Sequence, residues 1–263
     1  MIDFKRKDRY GFDDLVQIIH LLRAPGGCPW DREQTHRSIR RNFLEETYEA
    51  LEAIDEDNAG HLCEELGDVL LQVVLHAEME REAGRFTMDD VCDGECRKMI
   101  LRHPHVFGQT RVRDSDEVLA NWDAIKRVEK DQKSYSDTLR AVPKNLPANW
   151  RAEKLQKKAA KAGFAWADAG EALDKLTEEA GELRQALEGG ADPREELGDT
   201  LFAAVGVCFA LGMDPEEVLH GACEKFIGRF SRMEASAGEP LDSLPRERLL
   251  ALWDAAKETH RDV

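Results

Sequence analysis

One pattern of acidic residues occurs twice in this chain, and it constrains the fold more than any other feature. Each copy reads Glu-Glu-x-x-Glu and then Glu-Glu-Leu-Gly-Asp, first within residues 45–68 and again within residues 178–199. Residues three or four apart share a face of an α-helix, so two antiparallel helices would direct four carboxylates to one place. The carboxylates predicted to converge are Glu46, Glu49, Glu65 and Asp68 in the first copy, and Glu179, Glu182, Glu196 and Asp199 in the second.

A divalent cation is the expected partner of each cluster. Carboxylates at close range repel one another unless a cation neutralises them. Oxygen ligands without Cys or His favour Mg²⁺, with Mn²⁺ as the alternative. Apolar residues such as Val73 and Val205 follow directly on the second acidic segment of each copy. Solvated helix faces rarely have such neighbours, so these carboxylates are predicted to face the interior.

The whole chain is predicted to be all-α. Its apolar residues recur at helical spacing, and no alternating strand pattern is present. Other elements recur with the acidic motifs, namely Lys98-x3-Arg102 with Lys225-x3-Arg229, and Trp122-x3-Lys126 with Trp253-x3-Lys257. A repeat of this length indicates a duplicated domain. We therefore predict two four-helix modules, residues 1–129 and 148–263, joined by a proline-containing linker over residues 130–147.

Local signals predict several helix boundaries. A helix is expected from about Thr35, after a turn over residues 24–29. Thr87 is expected to cap another helix, while Asp192-Pro193 and Asp214-Pro215 place Asp at the N-cap and Pro at the first helical position. The last helix is predicted over residues 245–260.

The charge of the chain excludes some classes of partner. The 263 residues include 37 Lys and Arg against 53 Asp and Glu, a formal charge of −16. Such an acidic protein is a poor candidate for nonspecific binding to nucleic acid or membranes. The residues from Met1 lack the apolar segment of a signal peptide, and no apolar run is long enough to span a membrane. The expected location is the cytoplasm.

The repeated basic and aromatic residues are candidates for binding a polyphosphate. A divalent cation together with Lys and Arg is a common means of holding phosphate groups. The tryptophans are expected either to stack on a base or to anchor the core. The candidate substrate-binding residues are Lys175, Arg194, Lys225, Arg229, Trp253, Lys257, Lys98, Arg102, Trp122 and Lys126.

The two copies differ in their cations. Asn42 stands where the second copy has Lys175, and Cys63 stands where it has Arg194. We therefore expect the C-terminal site to bind nucleotides better. Glu178 and Glu195, which the spacing does not require as ligands, are candidates for orienting or deprotonating a water molecule.

Several motifs together resemble the MazG family of nucleoside triphosphate pyrophosphohydrolases over nearly the whole chain. The matching segments are GGCPWD, FLEETYEALEAI, EELGDVLLQVVLHAE, RHPHVFG, EEAGEL, EELGDTLFAAVG and KFIGRF. The resemblance implies four-helix active modules in a homodimer. It also implies Mg²⁺-dependent cleavage between the α- and β-phosphates of a nucleoside triphosphate, giving the monophosphate and pyrophosphate. A broad substrate range that includes noncanonical nucleotides, with a role in cleansing the nucleotide pool, is implied as well.

Two other functions would each explain part of the sequence pattern. A ferritin-like di-iron protein needs Glu-x-x-His motifs, and the chain has them at Glu33–His36 and Glu217–His220. They fall at unmatched places in the two copies. A noncatalytic helical scaffold would explain the apolar helices, but it would not explain the repeated inward-facing acids.

Overall fold

The computed structural model describes residues 4–258, and the all-α prediction is confirmed. No strand occurs within those residues. The chain divides into two compact units, the first ending at Lys126 and the second beginning at Arg127. The predicted boundaries at Met1 and Val263 and the predicted helix end at residue 260 lie outside the described residues.

The first unit is built on a long helix, α4, which packs against α1, α3 and α5. Its core consists of Ile19 from α1, Ile39 from the turn before α3, and Val74, Leu75 and Met79 from α4. The helix α7 crosses the division between the units. The helices are α1 (Phe12–Arg23), α2 (Pro29–Glu33), α3 (Arg40–Asp55), α4 (Ala59–Glu82), α5 (Met88–Arg102), α6 (Pro104–Phe107) and α7 (Ser115–Glu129).

The second unit contains a helical hairpin, α10 and α11, joined by residues 190–193. The helix α9 packs against α11 and α12, and α12 packs against α13. A small core lies between α12 and α13, at Met233, Ala237, Leu252 and Ala256. The helices are α8 (Tyr135–Arg140), α9 (Ala148–Ala160), α10 (Ala169–Gly189), α11 (Arg194–Leu211), α12 (Pro215–Ala237) and α13 (Arg246–Glu258), with a short 3₁₀ turn at Leu241–Ser243.

Three predicted boundaries differ from the structure. Helix α3 begins at Arg40 rather than near Thr35, because Thr35 and Ser38 exchange side chain–backbone hydrogen bonds of 2.9 and 3.2 Å in a turn. The expected linker over residues 130–147 contains α8, which Ser134 caps and which packs against α9. The N-cap of α11 is Pro193 rather than Asp192.

No single helix within residues 4–258 is long and apolar enough to cross a membrane, although α11 and α12, bent by 106°, meet the length and composition limits together.

The predicted caps at Thr87 and Asp214 are present, and the second also joins two helices. The Asp214 carboxylate accepts hydrogen bonds from the backbone N–H groups of Glu216 (2.8 Å) and Glu217 (3.2 Å). Both carboxylate oxygens lie 3.1 Å from the indole nitrogen of Trp150 on α9. The Asp214 carboxylate therefore provides hydrogen-bond acceptors for the first backbone N–H groups of α12 and also holds α12 against α9.

Replacing Asp214 by Ala is expected to lower the free energy of unfolding by about 1–2 kcal/mol, because the cap and the tryptophan hydrogen bond are lost together. Asp214→Asn is the matched control, since its amide oxygen still accepts these bonds. Urea unfolding measures both variants. An equal loss in the two variants would contradict a role for the hydrogen bonds.

A chain of polar side chains connects α4 to the turn before α3. The Nδ1 atoms of His36 and His76 are 2.6 Å apart, and His36 Nε2 lies 2.6 Å from a carboxylate oxygen of Glu80. Burial lowers the pKa of His76, and the nearby His36 lowers it further. Hydrogen bonds from Arg85 and His36 lower the pKa of Glu80 to about 2. The network therefore favours a neutral His76 and an ionised Glu80.

The first unit is expected to lose stability as the pH falls below about 6.5, the ordinary pKa of histidine. In that range the unfolded chain binds a proton at His76 that the folded chain resists, so acid favours unfolding. Glu80 adds a further loss below its ordinary pKa of 4.5. Melting temperatures between pH 7.5 and 5.5 should fall less steeply in His76→Gln than in a control, His220→Gln, at an exposed position on α12. Equal slopes would contradict the assignment.

Candidate metal centre

The α10–α11 hairpin brings three of the four predicted carboxylates of the second copy together. One oxygen each from Glu179, Glu196 and Asp199 lie within 4.8 Å of one another. Glu179 is buried, Glu196 is half-buried and Asp199 is exposed, so the cluster opens to solvent on one side. Glu182 is outside this group of three, although its charge acts on Glu196.

The crowding of like charges affects the pKa of Glu196. Burial raises the pKa of this carboxyl group, and the charges of Glu182, Glu195, Asp199 and Glu179 raise it further. A site that disfavours its own anions in this way gains stability from any bound cation. The arrangement can therefore accept a divalent ion.

A lysine already compensates part of this charge. The ammonium group of Lys175 lies 2.8 Å from Glu178 and 2.7 Å from Glu179. These two carboxylates raise the pKa of Lys175. Lys175 was predicted to contact phosphate, and Glu178 to act on water. In the structure Lys175 pairs with both Glu178 and the metal-ligand candidate Glu179, so its ammonium group lies at the edge of the cluster.

The first unit has a corresponding cluster on α3 and α4, with different members. Oxygens of Glu46, Glu49 and Glu65 lie within 4.8 Å of one another, and Asp68 is outside the group. Burial raises the pKa of both Glu46 and Glu65, and the charge of Asp68 contributes to each. One oxygen of Glu65 is buried without a hydrogen-bond partner. Both the donor set and this orphaned oxygen fit a hard cation.

His61 also lies beside this carboxylate cluster, and it was not predicted from the sequence. Its Nε2 atom lies 3.3 Å from Glu65, four residues later on α4. That spacing is a readable signal for a helical ion pair. The first cluster is therefore flanked by an imidazole where the second is flanked by an amine.

Apart from Lys175 on α10 and Arg194 on α11, the predicted basic and aromatic residues lie on helices that carry none of the clustered carboxylates. Arg102 and Lys126 approach the Trp122 ring at 6.0 and 5.8 Å. In the second unit Lys257 lies 5.9 Å from the Trp253 ring. Arg194 and Lys225 are exposed, Lys98 pairs with Glu95, and Glu195 is exposed at the start of α11.

Two buried donors in these sets have no hydrogen-bond partner, namely Nε of Arg229 and the indole nitrogen of Trp122. Trp253 packs against Phe226, with ring centroids 5.1 Å apart, and against the α12–α13 core. Trp253 therefore packs in the core, which is one of the two alternatives expected for the tryptophans.

Comparison with known proteins decides the family. A model of the MazG nucleotide pyrophosphohydrolase domain matches residues 34–107 and 170–233, segments that contain both carboxylate clusters. The chain belongs to the MazG family. The resemblance identified from the motifs is confirmed, as is the duplicated helical module. The family is one of hydrolases, the enzyme class expected from the sequence.

Two pyrophosphohydrolases are similar to this chain over nearly the whole length of both proteins, and a third relative is similar over about half of its own length. A nucleoside triphosphate pyrophosphohydrolase of Escherichia coli is 42% identical over 259 residues, covering 95% of this chain and 98% of that protein. The nucleoside triphosphate pyrophosphohydrolase/pyrophosphatase MazG of Thermotoga maritima is 43% identical over 252 residues, covering 94% and 95%. An uncharacterized protein of Bacillus subtilis, YabN, is 48% identical over 258 residues, which are 95% of this chain and 52% of YabN.

Proposed function

We propose that this protein is a Mg²⁺-dependent nucleoside triphosphate pyrophosphohydrolase that cleaves the bond between the α- and β-phosphates. Pyrophosphate and a nucleoside monophosphate are the products. The observation that carries the proposal is the cluster of Glu179, Glu196 and Asp199, which can accept a divalent cation and lies in a chain with two pyrophosphohydrolase relatives matched over 95% or more of their length.

The carboxylates of Glu179, Glu182, Glu196 and Asp199 are the residues that would hold Mg²⁺, or Mn²⁺ in its place. A bound divalent ion supplies charge neutralisation at the phosphates and lowers the pKa of a coordinated water. Glu178 or Glu195 orients or deprotonates the attacking water. When substrate enters, Lys175 exchanges its carboxylate partners for phosphate oxygens, and Arg194, Lys225 and Arg229 neutralise the remaining charge.

The C-terminal site is proposed as the main one. Lys175 adjoins this cluster, and the first unit has Asn42 at the matching position. A cavity of about 440 Å³ adjoins Glu179 and Asp199 in the second unit. In the first unit, Glu46, Glu49, Glu65 and Asp68 are proposed to hold a metal with weaker activity, near Lys98, Arg102, Trp122 and Lys126.

The proposed substrate range and cellular role are those that the family resemblance implies. The proposed substrates include ordinary and noncanonical ribo- and deoxyribonucleoside triphosphates, and the proposed role is to cleanse the nucleotide pool in the cytoplasm. Nucleic acid and membranes are not proposed partners, because the protein carries a formal charge of −16.

A homodimer is proposed on the basis of exposed apolar surface. Phe226, Ile227 and Phe230 on α12 are each more than 40% exposed. Leu197 and Leu201 on α11 are also exposed. Apolar side chains on neighbouring helices indicate an interface, and two-fold dimers are the commonest oligomers.

Product analysis tests the proposed reaction. Incubation with ATP and Mg²⁺ should release pyrophosphate and AMP, and EDTA should stop the release. Phosphate and ADP would contradict the assigned bond. Cleavage that persists after complete metal removal would contradict the role of the carboxylates. No turnover of any nucleoside triphosphate would favour the helical scaffold.

A ferritin-like iron site is disfavoured by the structure. His36 is engaged with Glu80 and His76. Within residues 4–258 neither group of candidate metal ligands includes a histidine.

A further inference from the structure

The cavity in the second unit has an apolar wall and a charged edge. Lys175, Glu179 and Asp199 form the charged edge. Glu179 and Asp199 belong to the carboxylate cluster, and Lys175 pairs with Glu179. Aromatic side chains dominate the remainder. The lining includes Phe164, Trp166, Phe202, Phe209, Leu155 and Gln156. A volume of about 440 Å³ falls within the usual range for small-molecule pockets.

One polar side chain in the apolar wall is fixed in orientation. The amide nitrogen of Gln156, on α9, donates a hydrogen bond of 2.8 Å to the backbone carbonyl of Phe202 on α11. The amide oxygen of Gln156 is thereby turned towards Gly206, one turn further along α11. An acceptor that is already oriented can discriminate between ligands at low entropic cost.

Gly206 is buried on α11, and its missing side chain lets this oxygen lie close to the helix backbone. A methyl group at Gly206 would lie 2.9 Å from the amide oxygen of Gln156 and 3.6 Å from the indole nitrogen of Trp166. An acceptor and a donor therefore flank a stretch of backbone without a side chain. Nucleobases carry donors and acceptors on adjacent ring-edge atoms, and aromatic side chains stack on their faces.

In the first unit, a leucine occupies the position that corresponds to Gly206. Leu75 lies 131 residues before Gly206, the same offset that separates Glu65 from Glu196. Leu75 is buried and packs with Ile19 of α1 in the core of that unit. In the first unit, apolar side chains fill the contact between α1 and α4. In the second unit, the contact between α9 and α11 contains Gln156 and Gly206 instead.

We infer that Gln156 is a specificity-determining residue, whose amide oxygen accepts a hydrogen bond from an N–H group of the nucleobase lying in this cavity. Gly206 gives the Gln156 amide room beside α11, and Trp166 offers its indole N–H to a neighbouring acceptor on the same base edge. This inference rests on the proposed function, because the triphosphate must be held at the adjoining carboxylates. It assigns base selection to α9 and α11 rather than to Trp253, which packs in the α12–α13 core.

Two nucleotides that differ in one donor test the inference. ATP carries a 6-amino group, and purine riboside 5′-triphosphate lacks it. Pyrophosphate release by the full-length protein should favour ATP by at least about tenfold in kcat/KM, because the analogue leaves an oriented acceptor unpaired. In Gln156→Leu this ratio should fall to near one. The ratio is measured within one preparation, so a partly unfolded sample does not change it.

Glycine variants complete the test. Gly206→Ala displaces the amide oxygen of Gln156 and should also reduce the ratio. Gly221→Ala is the matched control, because it places the same methyl group on helix α12 with no atom within 4 Å and should keep the wild-type ratio. A wild-type ratio near one, or an unchanged ratio in Gln156→Leu, would overturn the inference while pyrophosphate release left the proposed function intact. No pyrophosphate release from either nucleotide would overturn both.

Discussion

Replacing Glu179 by Gln is expected to reduce Mg²⁺-dependent pyrophosphate release by more than about a hundredfold. Glu179 is the buried member of the α10–α11 cluster, and its carboxylate lies between the other ligands and Lys175. Losing a residue that merely supports a metal ligand costs about 10–100-fold, so losing a ligand itself should cost more. Initial rates with ATP at several Mg²⁺ concentrations measure the effect.

Glu46→Gln is the matched variant in the first unit. It removes the corresponding carboxylate from the other cluster, and most of the activity should remain if the C-terminal site is the main one. The reverse result, with full activity in Glu179→Gln and loss in Glu46→Gln, would move the chemistry to α3 and α4. Circular dichroism checks that both variants remain helical.

Replacing Glu196 by Gln is expected to separate stability from activity. Burial and four neighbouring carboxylates raise the pKa of Glu196, so its negative charge is expected to be unfavourable in the metal-free fold. An amide of the same shape removes this repulsion, so the metal-free melting temperature should rise. The same change removes a candidate ligand, so pyrophosphate release should fall by more than about a hundredfold.

The control for this variant is the response to metal. Mg²⁺ should raise the melting temperature of the wild type, because a ligand that binds only the folded state stabilises it. The increase should be smaller in Glu196→Gln. A metal-free melting temperature lower than that of the wild type would contradict the account of repulsion in this cluster.

Features that depend on local sequence were predictable. Helical periodicity and the caps at Thr87 and Asp214 predicted most helices. The spacing of the acidic motifs predicted four converging carboxylates in each unit, and three of the four come together in each, because positions three and four apart share a helix face. The Ser134-x-x-Asp137 capping box that starts α8 was readable too, but Pro143 and Pro147, which follow it, favoured a linker instead.

Features that depend on packing between helices were not predictable in the same way. The orientation of Gln156 depends on the carbonyl of Phe202, 46 residues later in the chain. Gly206 resembles many other helical glycines until α9 is placed beside it. Such contacts follow from tertiary packing, which a single sequence does not specify locally.

Crystals grown with Mn²⁺ would test the central claim most directly, because anomalous scattering locates this ion without assumptions about the ligands. The account predicts a peak in the second unit bounded by Glu179, Glu196 and Asp199, and its loss in Glu179→Gln. Fully active protein with no peak there, and with Lys175 still paired to Glu179, would contradict it.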